Sequence, residues 1–327
     1  MSEMGDSYDP GPWKGYNFGS ARMAYDPTAG RGYGTTSVPN PKSTKLSLDE
    51  ILPPTLKTNA RSPLLVVTDG TDSMGIYPQV IFKKLPLLDL GVEDYLDDPE
   101  IAFGMVGDVI SGQPDKYALQ MQPFGRGKVL EERLNKLIIE GGGGGNQVEN
   151  YDVAALYCAR NIEMPNAVRP ILIYICDEGI PNVIGKSTAE HAHVKLEKEL
   201  KTMQLFKDLT SKYSVYCIRK HYQQTDGDVL TGQNAIIHKQ WQDYIGEDRV
   251  ALLGDPERVV DVIFGILAAD TDKLDFFQKE LTYRQKPEQI ATVMKSITTM
   301  TSQVKLPKGN SKLLTDGKSK KSSSALA

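Results

Sequence analysis

The chain has 327 residues, of which 40% are hydrophobic and 24% charged, and its formal net charge is −4. This length is enough for one large domain or two small ones, and the composition excludes a wholly disordered or fibrous chain. The net charge provides no broad basic surface, so we expect no specific nucleic-acid partner.

The apolar runs, the first ten residues and the cysteines indicate the cellular compartment of the protein. The longest apolar runs, such as 64–67 and 171–176, are far shorter than the roughly 20 residues of a membrane helix, so no membrane span is expected. Residues 1–10 carry acids and a proline where a signal peptide would carry basic and then apolar residues. The three cysteines lie far apart in apolar surroundings, as expected of buried thiols in a reducing compartment. We therefore predict a cytoplasmic protein.

The two ends of the chain differ in composition from the middle. Residues 1–60 are rich in glycine, proline and tyrosine without a sustained hydrophobic period, which predicts an irregular N-terminal arm. Its tyrosines could dock onto the body or onto a partner, and the alternative is a disordered leader. Residues 304–327 contain six lysines and one aspartate among serines and glycines, which is typical of a disordered basic tail.

Between these ends, short β-rich apolar runs alternate with longer amphipathic ones, which predicts an α/β fold over 61–270. We expect a doubly wound, mostly parallel six-stranded sheet covered by helices. The predicted strands are 64–69, 101–109, 117–124, 171–177, 214–220 and 250–254. The segment 110–116 is too short for a crossover helix, so the third strand should be an antiparallel hairpin strand at the edge.

The remaining segments are predicted to be helical. The predicted helices are 127–140, 149–162, 187–212, 233–245, 256–269, 272–284 and 287–301. The last two have apolar residues three to four positions apart, which gives each an apolar stripe. Residues 271–303 are therefore a predicted C-terminal helical extension, packed on the body or on another chain.

Oxygen-bearing side chains follow two of the predicted strands, at the sheet edge where doubly wound folds bind ligands. The first strand leads into D-G-T-D-S, in which the carboxylate of Asp69 and the hydroxyls of Thr71 and Ser73 alternate. Such donors in a bent loop suit a hard cation such as Mg²⁺. The fourth strand leads into a second acidic pair, 177–178. The five glycines at 141–145 suggest backbone that approaches another group closely, although a flexible linker is the alternative.

These residues carry a resemblance to a known family. The segment L-V-V-T-D-G-T-D-S-M-G at 65–75 resembles the first strand and the metal-ion-dependent adhesion site of von Willebrand factor A domains. Over about 60–270 the chain also resembles uncharacterised bacterial and phage von Willebrand A-like proteins. The motifs that carry this second resemblance lie at 69–75, 83–86, 103–108, 141–151, 177–178 and 241–250.

The resemblance implies a Rossmann-like domain that holds Mg²⁺ or Mn²⁺. Asp69, Thr71 and Ser73 match the first metal loop of the family, and Asp177 matches the acid of the third. The threonine of the family's second loop is missing from this sequence. Asn150 stands at the corresponding position, and two other residues of the same loop, Asn146 and Glu149, are the alternatives.

The resemblance also implies a function in recognition. The open coordination position of such a cation accepts a carboxylate, so the expected partner is a protein that offers an acidic residue. Many intracellular members of the family act as adaptors beside an AAA+ ATPase, which makes such an ATPase a candidate partner. We therefore expect a metal-dependent interaction module rather than an enzyme.

Two other functions stay open at this stage. The first is a structural or assembly protein, with a phage origin as one option, whose arm and terminal helices make the contacts. The second is a Mg²⁺-dependent phosphohydrolase, since such enzymes also carry acidic loops on a doubly wound sheet. Phosphohydrolases that form an aspartyl-phosphate need a second acid two positions after the nucleophile, where this chain has Thr71, so catalysis is the weaker alternative.

Overall fold

The computed structural model describes residues 48–110, 114–143, 147–222 and 230–301. Most of the predicted N-terminal arm, the whole segment after 301 with the predicted basic tail, and the candidate ligand Asn146 lie outside these ranges. Within them, a mixed, mostly parallel six-stranded sheet carries helices on both faces, as an α/β fold requires.

The elements are numbered here in chain order. The strands are β1 Leu56–Lys57, β2 Ser62–Asp69, β3 Pro99–Val106, β4 Leu119–Met121, β5 Ile162–Glu163, β6 Ile171–Cys176, β7 Val183–Ile184, β8 Leu200–Lys201, β9 Ser214–Arg219 and β10 Val250–Leu252. The α-helices are α1 Leu48–Ile51, α2 Tyr77–Lys84, α3 Val129–Leu134, α4 Tyr151–Arg160, α5 Lys186–Glu190, α6 Thr202–Lys212, α7 Gly232–Ile245, α8 Val259–Asp270, α9 Leu274–Arg284, α10 Pro287–Ser296 and α11 Thr298–Thr301.

The large sheet has the strand order β10-β9-β6-β2-β3-β4. Strand β4 pairs antiparallel with β3, which confirms the predicted edge hairpin, and the other neighbours are parallel. From β2 the chain first builds toward one edge through β3 and β4, and later toward the other edge through β6, β9 and β10. The strand order therefore reverses between β2 and β6, and ligands of doubly wound sheets bind at the carboxyl ends of such a pair.

The sheet divides the hydrophobic core in two, because successive side chains of a strand point to opposite faces. On one face Leu64 and Val66 of β2 pack in a cluster with α2, α3 and α8–α11. On the other face Leu65 and Val67 pack in a cluster with α4–α7. Both faces of β2 are thus covered, so its end is a rigid base for the loop that follows.

The predicted helices 187–212 and 127–140 are longer than the structure shows. Helix α5 ends at Glu190, and a two-stranded antiparallel sheet of β7 and β8 precedes α6. His193 has a φ of 53°, and this left-handed conformation is common just after a helix end. In place of the predicted helix 127–140, the structure has the shorter helix α3, Val129–Leu134. Helix α2 was not predicted, although Pro78 in its first turn is compatible with a helix start.

The two ends of the described chain pack against the domain. Phe277, Leu281 and Val293 of the C-terminal extension are buried in the same cluster as α8, so the extension covers the body. Leu52 and Leu56, from the segment assigned to the arm, are buried in the other cluster. The described part of the predicted arm is therefore ordered against the sheet.

The structure also bears on the predictions about membrane spans and about the cysteines. None of the helices in the described ranges is long and apolar enough to cross a membrane. Cys158, Cys176 and Cys217 are buried free thiols, as predicted. The sulfurs of Cys176 and Cys217 lie 3.4 Å apart on neighbouring strands.

Candidate functional site

The loop after β2 curls around the carboxylate of Asp69, the last residue of that strand. Oδ1 of Asp69 accepts hydrogen bonds from the backbone N–H of Thr71 at 2.8 Å and from its hydroxyl at 2.6 Å. Oδ2 accepts a hydrogen bond from the hydroxyl of Tyr151, at the start of α4. The hydroxyl oxygens of Thr71 and Ser73 lie 3.2 Å apart. Four oxygen atoms from three neighbouring residues of one loop therefore lie close together.

The acid of the third loop joins this group. The hydroxyl of Ser73 donates to Oδ1 of Asp177 at 3.0 Å. Strands β2 and β6 are parallel neighbours, so their carboxyl ends, and the residues that follow them, meet at one edge. The structure thus brings Asp69, Thr71, Ser73 and Asp177 together.

A lysine that the sequence analysis did not single out also enters this group. Lys220 follows β9 and is 6% exposed. Its ammonium group forms an ion pair with Oδ2 of Asp177 at 3.0 Å and donates to the carbonyl of Ser73 at 2.5 Å. It also lies 5.5 Å from the ring centroid of Tyr77. One feature of the sequence points to Lys220, because it is the last residue of the predicted buried strand 214–220.

The second loop offers Glu149 rather than Asn150 to the group. The side-chain oxygen of Asn150 accepts a hydrogen bond from the backbone N–H of Val109 at 3.0 Å and so ties the loop after β3 to the start of α4. Glu149 is 1% exposed, and neither of its carboxylate oxygens has a hydrogen-bond partner in the described structure. A Cβ atom added at Gly143 would lie 3.2 Å from Oε1 of Glu149 and 3.3 Å from Cβ of Thr71. Glu149 therefore lies beside the loop that follows β2.

The glycine run is in contact with the same loop. The backbone N–H of Asp72 donates to the carbonyl of Gly142 at 2.9 Å, and that of Gly141 donates to the carbonyl of Gly70 at 3.2 Å. Gly143 has a φ of 95°, which side-chain-bearing residues rarely adopt. The described glycines thus approach another backbone closely, as the sequence predicted.

Burial and mutual repulsion make these carboxyl groups hard to ionise. Burial raises the pKa of Asp69, and the nearby charge of Asp177 raises it further. Burial, followed by repulsion from Asp69, likewise raises the pKa of Glu149 well above its ordinary value. The pKa of Asp177 is also raised by burial, against the opposing effect of Lys220. When all three carboxyl groups are ionised, the residues around them do not neutralise all of their negative charge.

Two further acids extend the group. Burial and the charge of Asp177 raise the pKa of Glu178 to about 8. Glu178 and Asp108 each have one buried carboxylate oxygen without a hydrogen-bond partner in the described structure. From the sequence, Glu178 is expected at this edge without a role of its own, and Asp108 is not among the candidate site residues.

The chemistry of these donors fits a hard divalent cation. Carboxylate and hydroxyl oxygens are the ligands that Mg²⁺ and Mn²⁺ prefer, and a cation would stabilise the ionised form of each acid. Among the residues that the structure describes, no group of three or more His, Cys, Asp and Glu side chains could hold a metal ion. The carboxyl groups of Asp69, Asp177 and Glu149 therefore do not form a metal-binding group by themselves, and the candidate set depends on the hydroxyls of Thr71 and Ser73 as well.

Comparison with known proteins gives no family. No family model and no curated protein matches the chain. The pilus adhesin SpaC from Lactobacillus rhamnosus GG, in its open conformation, is 9% identical with a TM-score of 0.46, over 69% of this chain and 31% of the adhesin. Proximal thread matrix protein 1 from the mussel byssus is 9% identical with a TM-score of 0.41, over 64% of this chain and 48% of that protein. The chain thus spans less than half the length of either structure.

Proposed function

We propose that this protein is a divalent-cation-dependent protein-interaction module of the von Willebrand factor A type. Asp69, Thr71 and Ser73 hold Mg²⁺ or Mn²⁺ together with Asp177 and Glu149, and an open coordination position accepts a carboxylate from a partner protein. The observation that carries this proposal is Glu149, whose two carboxylate oxygens are buried without a hydrogen-bond partner beside the metal loop.

A buried carboxyl group of this kind needs a partner. Leaving one buried polar group without a hydrogen bond costs about 1–3 kcal/mol, and an unpaired buried charge costs more. A proton would remove the charge of Glu149 but would leave the new O–H without an acceptor. A divalent cation would neutralise the charge and would also relieve the repulsion from Asp69 that raises the pKa of Glu149.

The topology supports this proposal. The first metal loop follows the central strand β2, the third follows its parallel neighbour β6, and β4 is antiparallel at one edge. This arrangement puts the candidate ligands at the point where the strand order reverses, which is where such sheets bind ligands.

The hydrogen bonds of Asp69 favour recognition over phosphoryl transfer. Both of its carboxylate oxygens accept hydrogen bonds, from Thr71 and from Tyr151, which lowers their nucleophilicity. Thr71 occupies the place where an aspartyl-phosphate enzyme needs an acid. The C-terminal extension, the other candidate interface, buries Phe277 and Leu281 against the body, so these side chains are not free for a partner.

The test is direct measurement of Mn²⁺ binding by electron paramagnetic resonance, in which the signal of free Mn²⁺ falls as the ion binds. We expect one Mn²⁺ to bind per wild-type chain and Asp69→Asn to weaken binding at least tenfold. Asp72→Asn is the matched control, because Asp72 is an exposed acid of the same loop. Wild-type protein that binds no Mn²⁺, or an Asp69→Asn variant that binds it as tightly, would overturn the proposal.

A second measurement tests the open coordination position. Water bound to protein-held Mn²⁺ enhances the relaxation of bulk water protons, and an incoming carboxylate displaces that water. Acetate should therefore reduce the enhancement for wild-type protein, whereas chloride at equal ionic strength should not. Equal effects of the two salts would mean that the cation has no position for a carboxylate.

A further inference from the structure

The ammonium group of Lys220 is a positive charge built into the candidate cation site. It contacts the carboxylate of Asp177 at 3.0 Å and the carbonyl of Ser73 at 2.5 Å, so it bridges the third loop and the metal loop. The side chain is buried, and the ring of Tyr77 lies 5.5 Å from the ammonium nitrogen. Lys220 therefore contacts one carboxylate oxygen of Asp177, whereas the hydroxyl of Ser73 contacts the other.

We propose that Lys220 is an intrinsic cation of this site, which holds the two loops together in the cation-free protein and weakens the binding of a divalent cation. This inference rests on the proposed function, because it concerns the same ligands. Lys220 can hold the two loops together because its ammonium group donates to an acceptor on each of them, the carbonyl of Ser73 and the carboxylate of Asp177.

Electrostatic repulsion accounts for the weakening. The ammonium group and a divalent cation would approach the same carboxylate from within a few ångströms of each other. Charges at such distances in a partly buried site interact strongly, because little water separates them. Removal of the positive charge should therefore tighten cation binding by about tenfold or more.

The same charge explains how an acidic partner could be accepted. Glu149, Asp69 and Asp177 carry three negative charges when ionised, and a divalent cation neutralises two of them. Lys220 neutralises the third, which reduces the repulsion that an incoming carboxylate would meet at the loaded site. The cost of this arrangement is a lower affinity for the cation alone.

The experiment compares Lys220→Met with wild type in Mn²⁺ titrations and in thermal unfolding with EDTA. We expect the variant to bind Mn²⁺ at least about tenfold more tightly and to unfold at a lower temperature in EDTA. Lys220→Arg, which keeps the charge, should retain the wild-type Mn²⁺ affinity.

Lys212→Met is the matched control for a general loss of stability. Lys212 is also partly buried, and its ammonium group donates to the carbonyls of Cys158 at 3.0 Å and Ile162 at 2.7 Å. It precedes β9, whereas Lys220 follows β9, so the two lysines lie at opposite ends of one strand. Lys212→Met should unfold at a lower temperature in EDTA with an unchanged Mn²⁺ affinity.

The outcomes separate this inference from the proposed function. Equal Mn²⁺ affinities for wild type and Lys220→Met would overturn the inference and leave the proposed function intact. Binding by Lys220→Met alone would support the inference and overturn the proposed function of the wild-type chain. Binding by neither protein would overturn both. If Lys220→Met fails to fold in Mn²⁺, Lys220→Gln takes its place in the comparison. If both variants fail to fold in Mn²⁺, the lysine is a structural residue and the inference is wrong.

Discussion

The hydroxyl of Ser73 lies 3.0 Å from Oδ1 of Asp177 and donates a hydrogen bond to it, across 104 residues of sequence. Lys220 bridges the same two residues through the other carboxylate oxygen of Asp177 and the carbonyl of Ser73. The loops after β2 and β6 are therefore joined by side chains from both loops and from the end of β9. These side-chain contacts hold the loops of the candidate site together.

Ser73→Ala should lower the free energy of unfolding in EDTA by about 1 kcal/mol, because Asp177 loses one of its hydrogen-bond donors. Urea denaturation with EDTA present measures this change. Asp72→Asn, in the exposed part of the same loop, should be neutral. An unchanged stability of Ser73→Ala would mean that the bond between the loops contributes nothing in solution.

Tyr151→Phe should destabilise the protein by about 1–3 kcal/mol, because Oδ2 of the buried Asp69 loses its donor. The ring packing should survive, since the ring centroid of Tyr151 lies 5.5 Å from that of Trp241 and a phenylalanine ring fills the same space. The measurement is again urea denaturation in EDTA.

Tyr174→Phe is the matched control for that prediction. Tyr174 belongs to the same aromatic cluster, with its ring centroid 6.4 Å from that of Tyr151, but its buried hydroxyl has no hydrogen-bond partner in the described structure. Removing this hydroxyl should be neutral or stabilising. Equal destabilisation by the two variants would contradict the role assigned to the Tyr151 hydroxyl.

Gly143→Ala should weaken Mn²⁺ binding, because the new methyl group would meet Glu149 and Thr71 at 3.2 and 3.3 Å. Gly141→Ala is the control, since Gly141 also has a positive φ but has open space around its Cβ position. Both variants should lose about 1 kcal/mol or more of stability through the left-handed backbone. Mn²⁺ titration distinguishes them, and equal affinities would show that Gly143 does not need to be small for the site.

His238 should make the protein less stable in acid. It is buried on α7 with no partner for Nδ1 in the described structure, and burial, followed by the charges of Arg219 and His221, lowers its pKa to about 4. The unfolded state binds a proton near pH 6.5 whereas the folded state resists it, so this contribution to stability is present above pH 6.5 and is lost as the pH falls toward 4.

His238→Gln removes this effect. Between pH 7 and pH 5 wild type should therefore lose about 1–2 kcal/mol more stability than His238→Gln, as measured by urea denaturation at each pH. The comparison with the variant is needed because the buried acids, whose pKa values are raised, act in the opposite direction. The same loss in both proteins would contradict the assignment to His238.

The sheet could be predicted from the sequence more completely than the helices. Short apolar runs bounded by turn residues give strands such as β6 and β9, and the connection 110–116 was too short for anything but a hairpin. The prediction of one continuous helix over 187–212 was wrong for a physical reason. Its charged and apolar residues fit a helical period, but a left-handed residue at His193 and the pairing of β7 with β8 interrupt the helix.

The candidate site could be predicted where it depends on strand ends. Asp69 and Asp177 come together because they follow parallel neighbours, which the pattern of strands already indicated. The choice between Glu149 and Asn150 depends on the path of the loop, which the spacing of residues does not determine. Lys220 and Tyr151 reach the site from β9 and α4, and such side-chain directions require tertiary packing.

Mn²⁺ titration of wild type and Glu149→Gln shows whether the buried carboxyl group of Glu149 is a ligand of a divalent cation. We expect one bound Mn²⁺ per wild-type chain and at least a tenfold weaker affinity for Glu149→Gln, because an amide supplies no charge. Thermal unfolding in EDTA should be nearly the same for both, since burial raises the pKa of Glu149 and keeps it neutral without a cation. Equal Mn²⁺ affinities, or no Mn²⁺ binding by the wild-type protein, would mean that Glu149 is not a ligand of a divalent cation.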